Sequence, residues 1–102
     1  MGKIIYNVTI SLDKEIEKDW VKWMQETHLK EVMETGMFLE NRFTKILTDE
    51  ADGISYSVQY LAPDMQTYER YKNEFAPALQ KKGLEQFPGK FVAFRTLLAL
   101  ID

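Results

Sequence analysis

His28 is the only histidine in the 102 residues, and histidine is the side chain best suited to move a proton near neutral pH. It lies at helical spacing between Met24 and Val32, on a stripe that also carries Trp20 and Val21. An imidazole on an apolar stripe is partly desolvated, which lowers its basicity and suits it to act as a general base. The plainer reading is a structural histidine that donates one hydrogen bond to a strand tyrosine or a backbone carbonyl. Tyr6, Tyr56 and Tyr60 form a second group, each on the apolar side of an alternating segment. A buried phenol needs a partner for its hydroxyl, so these tips beside Trp20, Met24 and His28 predict a lined cavity. A packed aromatic core accounts for the same residues. Arg42 and Arg95 form a third group, each interrupting a predicted strand. A guanidinium in such a place must be paired or wet. It is expected either to clamp a carboxylate or phosphate ligand, or to meet Glu40 or a partner-chain carboxylate at a subunit interface.

Other chemistries are excluded. There is no cysteine, hence no disulfide, thiolate metal site or cysteine nucleophile. A single histidine leaves no multi-histidine metal centre in one chain, so neither a metal nor a cofactor is expected. Gly2, Gly36, Gly53, Gly83 and Gly89 are scattered and make no phosphate-cradling loop. No serine stands in a nucleophile-elbow context. The formal net charge is −3, and without a basic stretch there is no sign of a nucleic-acid groove. The longest apolar run, Leu97 to Ile101, is far short of the ~20 residues that span a bilayer. Asn7 and Thr9 interrupt any signal-peptide core, and Tyr6 occupies the position where myristoylation wants serine or threonine. No membrane association and a cytoplasmic location are expected.

The elements that position these side chains follow from periodicity within one predicted domain, residues 1–102. Residues 3–12 alternate, with Ile4, Tyr6, Val8, Ile10 and Leu12 on one face and Asn7, Thr9 and Ser11 on the other. Asp13 is an N-cap for an amphipathic helix over about 14–35, closed by Gly36. Residues 37–47 form a second strand with less clean alternation, and the acidic segment Thr48 to Gly53 is a hairpin loop. Residues 54–61 alternate as a third strand, antiparallel to the second. Asp64 caps a second helix, which Pro77 breaks near Ala76, and a further helical piece runs to about Gln86. Pro88 and Gly89 turn the chain into a last strand over 90–101. The order β-α-β-β-α-β places both helices on one face of a four-stranded antiparallel sheet, the ferredoxin-like α+β plan.

The last strand departs from the half-buried pattern. Val92, Phe94, Leu98 and Leu100 point one way, while Phe91, Ala93, Leu97 and Ala99 point the other. Apolar residues on both faces imply that both are covered, and one chain supplies helices for one face alone. In this topology the strand is also an edge. The expected partner is a second copy, giving a symmetric homodimer through the open sheet face and the last strand. A half-exposed apolar edge is the plainer alternative.

Three stretches carry a resemblance: Trp20 to Met24 followed by His28, Gly53 to Tyr60, and Phe91 to Leu98. On these the chain resembles the dimeric α/β-barrel superfamily, which includes antibiotic-biosynthesis-type monooxygenases and EthD-like proteins. More closely it is similar to a small bacterial family of unknown function within that fold. The resemblance implies two sheets facing each other across a dimer, with a small pocket per subunit. Mapped onto this chain, the pocket is lined by Tyr6, Trp20, Met24, His28, Tyr56 and Tyr60. The monooxygenases of the superfamily rely on a set of Asn, Trp, Tyr and His residues, and Asn7 faces the opposite side of its strand from that set. Three functions stay open: a dimer binding a small aromatic or carboxylate-bearing molecule, a cofactor-independent monooxygenase or isomerase using His28, and a structural dimer with a dry interior.

Overall fold

Alternation along two central strands builds the floor of the molecule. In β1 (Ile4–Leu12), Tyr6, Val8, Ile10 and Leu12 are buried. In β3 (Ile54–Ala62) every second residue, from Ile54 to Ala62, is buried. The two pair antiparallel with Tyr6 opposite Tyr60 and Ile10 opposite Tyr56, so their buried faces coincide. β4 (Phe91–Ala99) pairs with the other edge of β1, placing Arg95 opposite Val8. β2 (Glu40–Lys45) pairs with β3. The strand order is β2-β3-β1-β4, antiparallel throughout, as the ferredoxin-like plan requires. This computed structural model describes residues 2–47 and 53–101. The predicted hairpin loop over 48–52 lies outside the described residues. β2 is shorter than the predicted 37–47, and Phe43 alone of its six residues is even half-buried.

The first helical arm is not the uniform α-helix expected over 14–35. A 3₁₀ turn (Lys14–Ile16) leads into α1 (Glu17–Trp23), then a π turn (Met24–His28), then α2 (Leu29–Glu34). The Leu29 amide donates to the Met24 carbonyl, five residues back. Spacing explains the turn. Trp20 and Val32, both fully buried, are twelve residues apart, and in a regular α-helix their directions would diverge by about 120°. The wider π turn takes up that drift. Asp13 stands at the N-cap, but its carboxylate makes no capping bond. Its carbonyl accepts from the Ile16 amide, and its carboxylate turns to Lys90, Nζ 3.8 Å away. Gly36, at φ +77°, ends the arm as expected.

α3 (Met65–Glu74) begins with Asp64 Oδ1 accepting from the Thr67 amide at 2.7 Å. The chain breaks at Phe75, and Pro77 sits in the first turn of α4 (Ala76–Gln86), where its missing amide costs nothing. Trp20, Met24, Val32, Tyr71 and Leu79 from the helices meet the buried strand residues in one core.

The opposite face of the sheet is uncovered. Its centre is polar: Ser57 Oγ donates to Asn7 Oδ1 at 2.6 Å, and the Ser11 and Ser55 hydroxyls lie 3.0 Å apart. Over β4 the face is apolar, with Val92 56% and Phe94 61% exposed. No helix among the described residues is long and apolar enough to cross a membrane.

Candidate functional site

A cavity of about 300 Å³ opens between the helices and the sheet. Its walls come from β1, β3 and β4 below, from α1 and the π turn on one side, and from α4 on the other. Tyr6, Trp20, Met24, His28, Tyr60 and Arg95, all singled out by sequence, line it.

His28 ends the π turn and stacks on Trp23, with centroids 4.8 Å apart and planes at 22°. In a regular α-helix, side chains five residues apart point about 140° away from each other. The π turn is what lets these two rings lie face to face. His28 Nδ1 is buried and has no hydrogen-bond partner among the described residues, contrary to a histidine tied to a tyrosine or a carbonyl. Burial holds its pKa below the usual histidine value; Glu31 opposes this and Lys82 reinforces it. At neutral pH the imidazole is therefore uncharged, able to accept one hydrogen bond and donate another.

The tyrosines divide. Tyr6 and Tyr60 stack at 5.8 Å in the cavity floor, and burial drives the Tyr60 hydroxyl well above the usual phenol range. Tyr56 does not line this cavity. It lies two pleats further along β3, where its hydroxyl donates to Glu17 Oε2 at 2.7 Å, and Lys45 Nζ donates to the same oxygen at 2.8 Å. Burial and the Glu17 carboxylate push Tyr56 up to about 12, while Lys45 and then Tyr56 hold Glu17 below the usual carboxylate value. This cluster ties α1 to strands β2 and β3.

The two arginines lie on opposite faces. Arg42 shares the open face with Glu40 and lines a separate hollow of about 210 Å³ with Ile5, Leu61 and Leu100. Arg95 points to the helix side, where its Nε donates to the Tyr6 hydroxyl at 3.1 Å. Among the described residues neither forms an ion pair with a carboxylate.

Sequence reasoning passed over Trp23, Tyr71 and Gly83, which also line the cavity. Trp23 falls off the α-helical stripe, and the π turn that follows it brings His28 round to stack on it. Gly83 did leave a signal, a glycine within a helical segment with no turn to make. Among the described residues no cluster of His, Cys, Asp or Glu could hold a metal ion.

The sequence profile of a family described as a domain of unknown function, DUF4286, matches residues 3–101. The chain belongs to this family. No curated protein matches this DUF4286 chain by sequence. Among solved structures it is similar to a dimeric ferredoxin-like protein from an uncultured marine organism, at 12% identity and TM-score 0.72, over 100% of this chain and 98% of that one. It is similar to an EthD-family protein from Bacillus halodurans, at 8% identity and TM-score 0.69, over 91% and 96% of the two chains. A third is SnoaB, a cofactor-independent oxygenase from Streptomyces nogalater, at 10% identity and TM-score 0.65, over 100% and 96%. At such identities the likeness establishes the fold of the DUF4286 chain, the ferredoxin-like fold implied by its sequence.

Proposed function

We propose that this protein is a homodimer that binds a small aromatic molecule in the cavity beside His28. The cavity itself carries the reading. Protein interiors are close-packed, and a space of about 300 Å³ reaches the size of small-molecule sites. Its walls include the rings of Tyr6, Trp20, Trp23 and Tyr60 beside aliphatic side chains, and a neutral imidazole with an unpartnered nitrogen lies among them. A dry, fully packed interior would leave no such space.

The dimer is supported by the apolar stripe over β4, left uncovered by one chain, and by the dimeric description of a structural neighbour. Titration with 2-naphthol, followed by Trp20 and Trp23 fluorescence and by NMR shifts at His28, tests the site. Saturable shifts that vanish in Gly83→Phe are expected; no shift in the parent protein refutes the reading. Light scattering on a sizing column should give twice the 12.0 kDa chain mass, with Phe94→Asp returning a single chain. A single-chain mass for the parent at micromolar concentration refutes the dimer.

A second reading has one observation in its favour. Depressed basicity and a buried free nitrogen suit His28 to take a proton from a phenolic substrate, in a cofactor-independent oxygenase or isomerase. Turnover of such a substrate, lost in His28→Ala while 2-naphthol binding persists, would establish it; equal turnover removes His28 as the base.

A further inference from the structure

Arg95 stands where two cavities meet. Besides the His28 chamber it lines a neighbouring space of about 270 Å³, and Tyr6, Tyr71 and Gln80 line both with it. Lys72 of α3 lines the second space, and so do Ala76 and Pro77 from the first turn of α4. Two cationic side chains, Arg95 and Lys72, therefore border one opening. Neither Arg95 nor Lys72 has a carboxylate partner among the described residues. The whole chain is acidic, at −3, so this local excess is not part of a general basic surface. The Arg95 Nε is engaged by a neutral phenol oxygen, and the side chain is exposed, so its terminal amino groups are free to fork a carboxylate. Arg95 also shares the sheet side of Val8 and Tyr6. It therefore turns away from the open face where a second copy is proposed to dock.

We infer that the ligand is an aromatic acid, its ring in the His28 chamber and its carboxylate at the opening, held by Arg95 with Lys72 alongside. This rests on the cavity reading and narrows its ligand class. A planar carboxylate fits better than a phosphate: the guanidinium fork matches it, and Pro77 removes one of the amides with which a helix start would hold a phosphate.

The test is calorimetric titration with 2-naphthoate and its neutral counterpart 2-naphthamide at low salt. Naphthoate should bind about tenfold tighter or better, the range of a charge-assisted hydrogen bond. Arg95→Gln should abolish that preference by weakening naphthoate far more than the amide, Arg95→Lys should keep part of it, and Lys72→Gln should reduce it. Equal affinity for the two probes, or a preference that survives Arg95→Gln, overturns the inference while leaving the cavity reading in place. If Arg95→Gln abolishes binding of both probes, or splits the dimer, Arg95 has a structural role and the inference falls. If neither probe binds the parent protein, the cavity reading falls with it.

Discussion

Gly83→Ala probes the cavity from the side of stability. Gly83 lies inside α4, without the positive φ that would demand glycine. A methyl group built there would sit 3.5 Å from Trp23 Cη2 and 3.8 Å from Phe91 Cζ, ordinary van der Waals distances. Two effects then act in the same direction. Alanine relieves the cost of glycine within a helix, about 0.5–1 kcal/mol, and the new methyl buries apolar surface against two rings, at up to about 0.8 kcal/mol. Taking about 1 kcal/mol as the net gain, Tm should rise by roughly 4–8 °C when compared at fixed protein concentration. Urea and thermal unfolding followed by circular dichroism measure this. A loss of stability would mean that Trp23 and Phe91 press directly on α4 and that no gap separates them, which would refute the cavity geometry itself. The same substitution should weaken 2-naphthol binding, since the methyl occupies space the ring would use.

Two further outcomes are expected. Burial keeps the folded pKa of His28 below its ordinary 6.5, so between the two values the unfolded chain binds more protons than the folded one. Stability from this group is then full above about pH 6.5 and falls as the pH drops below it. Urea midpoints measured across that window should slope less in His28→Gln than in the parent; identical slopes would show that the imidazole is solvated. Tyr56→Phe removes the hydroxyl that donates to Glu17 and should cost about 1 kcal/mol in urea unfolding. It should also delete a phenol that ionises near pH 12 from a spectrophotometric titration, and loss of a phenol titrating near its ordinary value would contradict the Glu17 contact.

Most of the fold was legible because β1 and β3 are buried on one face only, and a half-buried strand writes its alternation into the sequence. Local punctuation did the rest: Gly36, Asp64 and Pro77 each act within a few residues of themselves. What alternation does not encode is position along a strand. Tyr56 and Tyr60 share a face, yet one lines the cavity and the other anchors Glu17. Asp13 carries the right residue type for a cap, but Lys90 from the far end of the chain competes for its carboxylate. Trp23 was left out of the site for a geometric reason, since a period of 3.6 residues does not hold across the turn that follows it and carries His28 round to its ring.

That turn also leaves the helical arm carrying one residue more than its core contacts require. Eleven residues of α-helix close three turns to within about 20°, whereas Trp20 and Val32 stand twelve apart. A descendant that lost Gln25, Glu26 or Thr27, all exposed, would regain an unbroken α-helix with both anchors still inward. It would forfeit the five-residue offset that stacks His28 on Trp23. A single-residue deletion here would thus re-aim the histidine while sparing the fold.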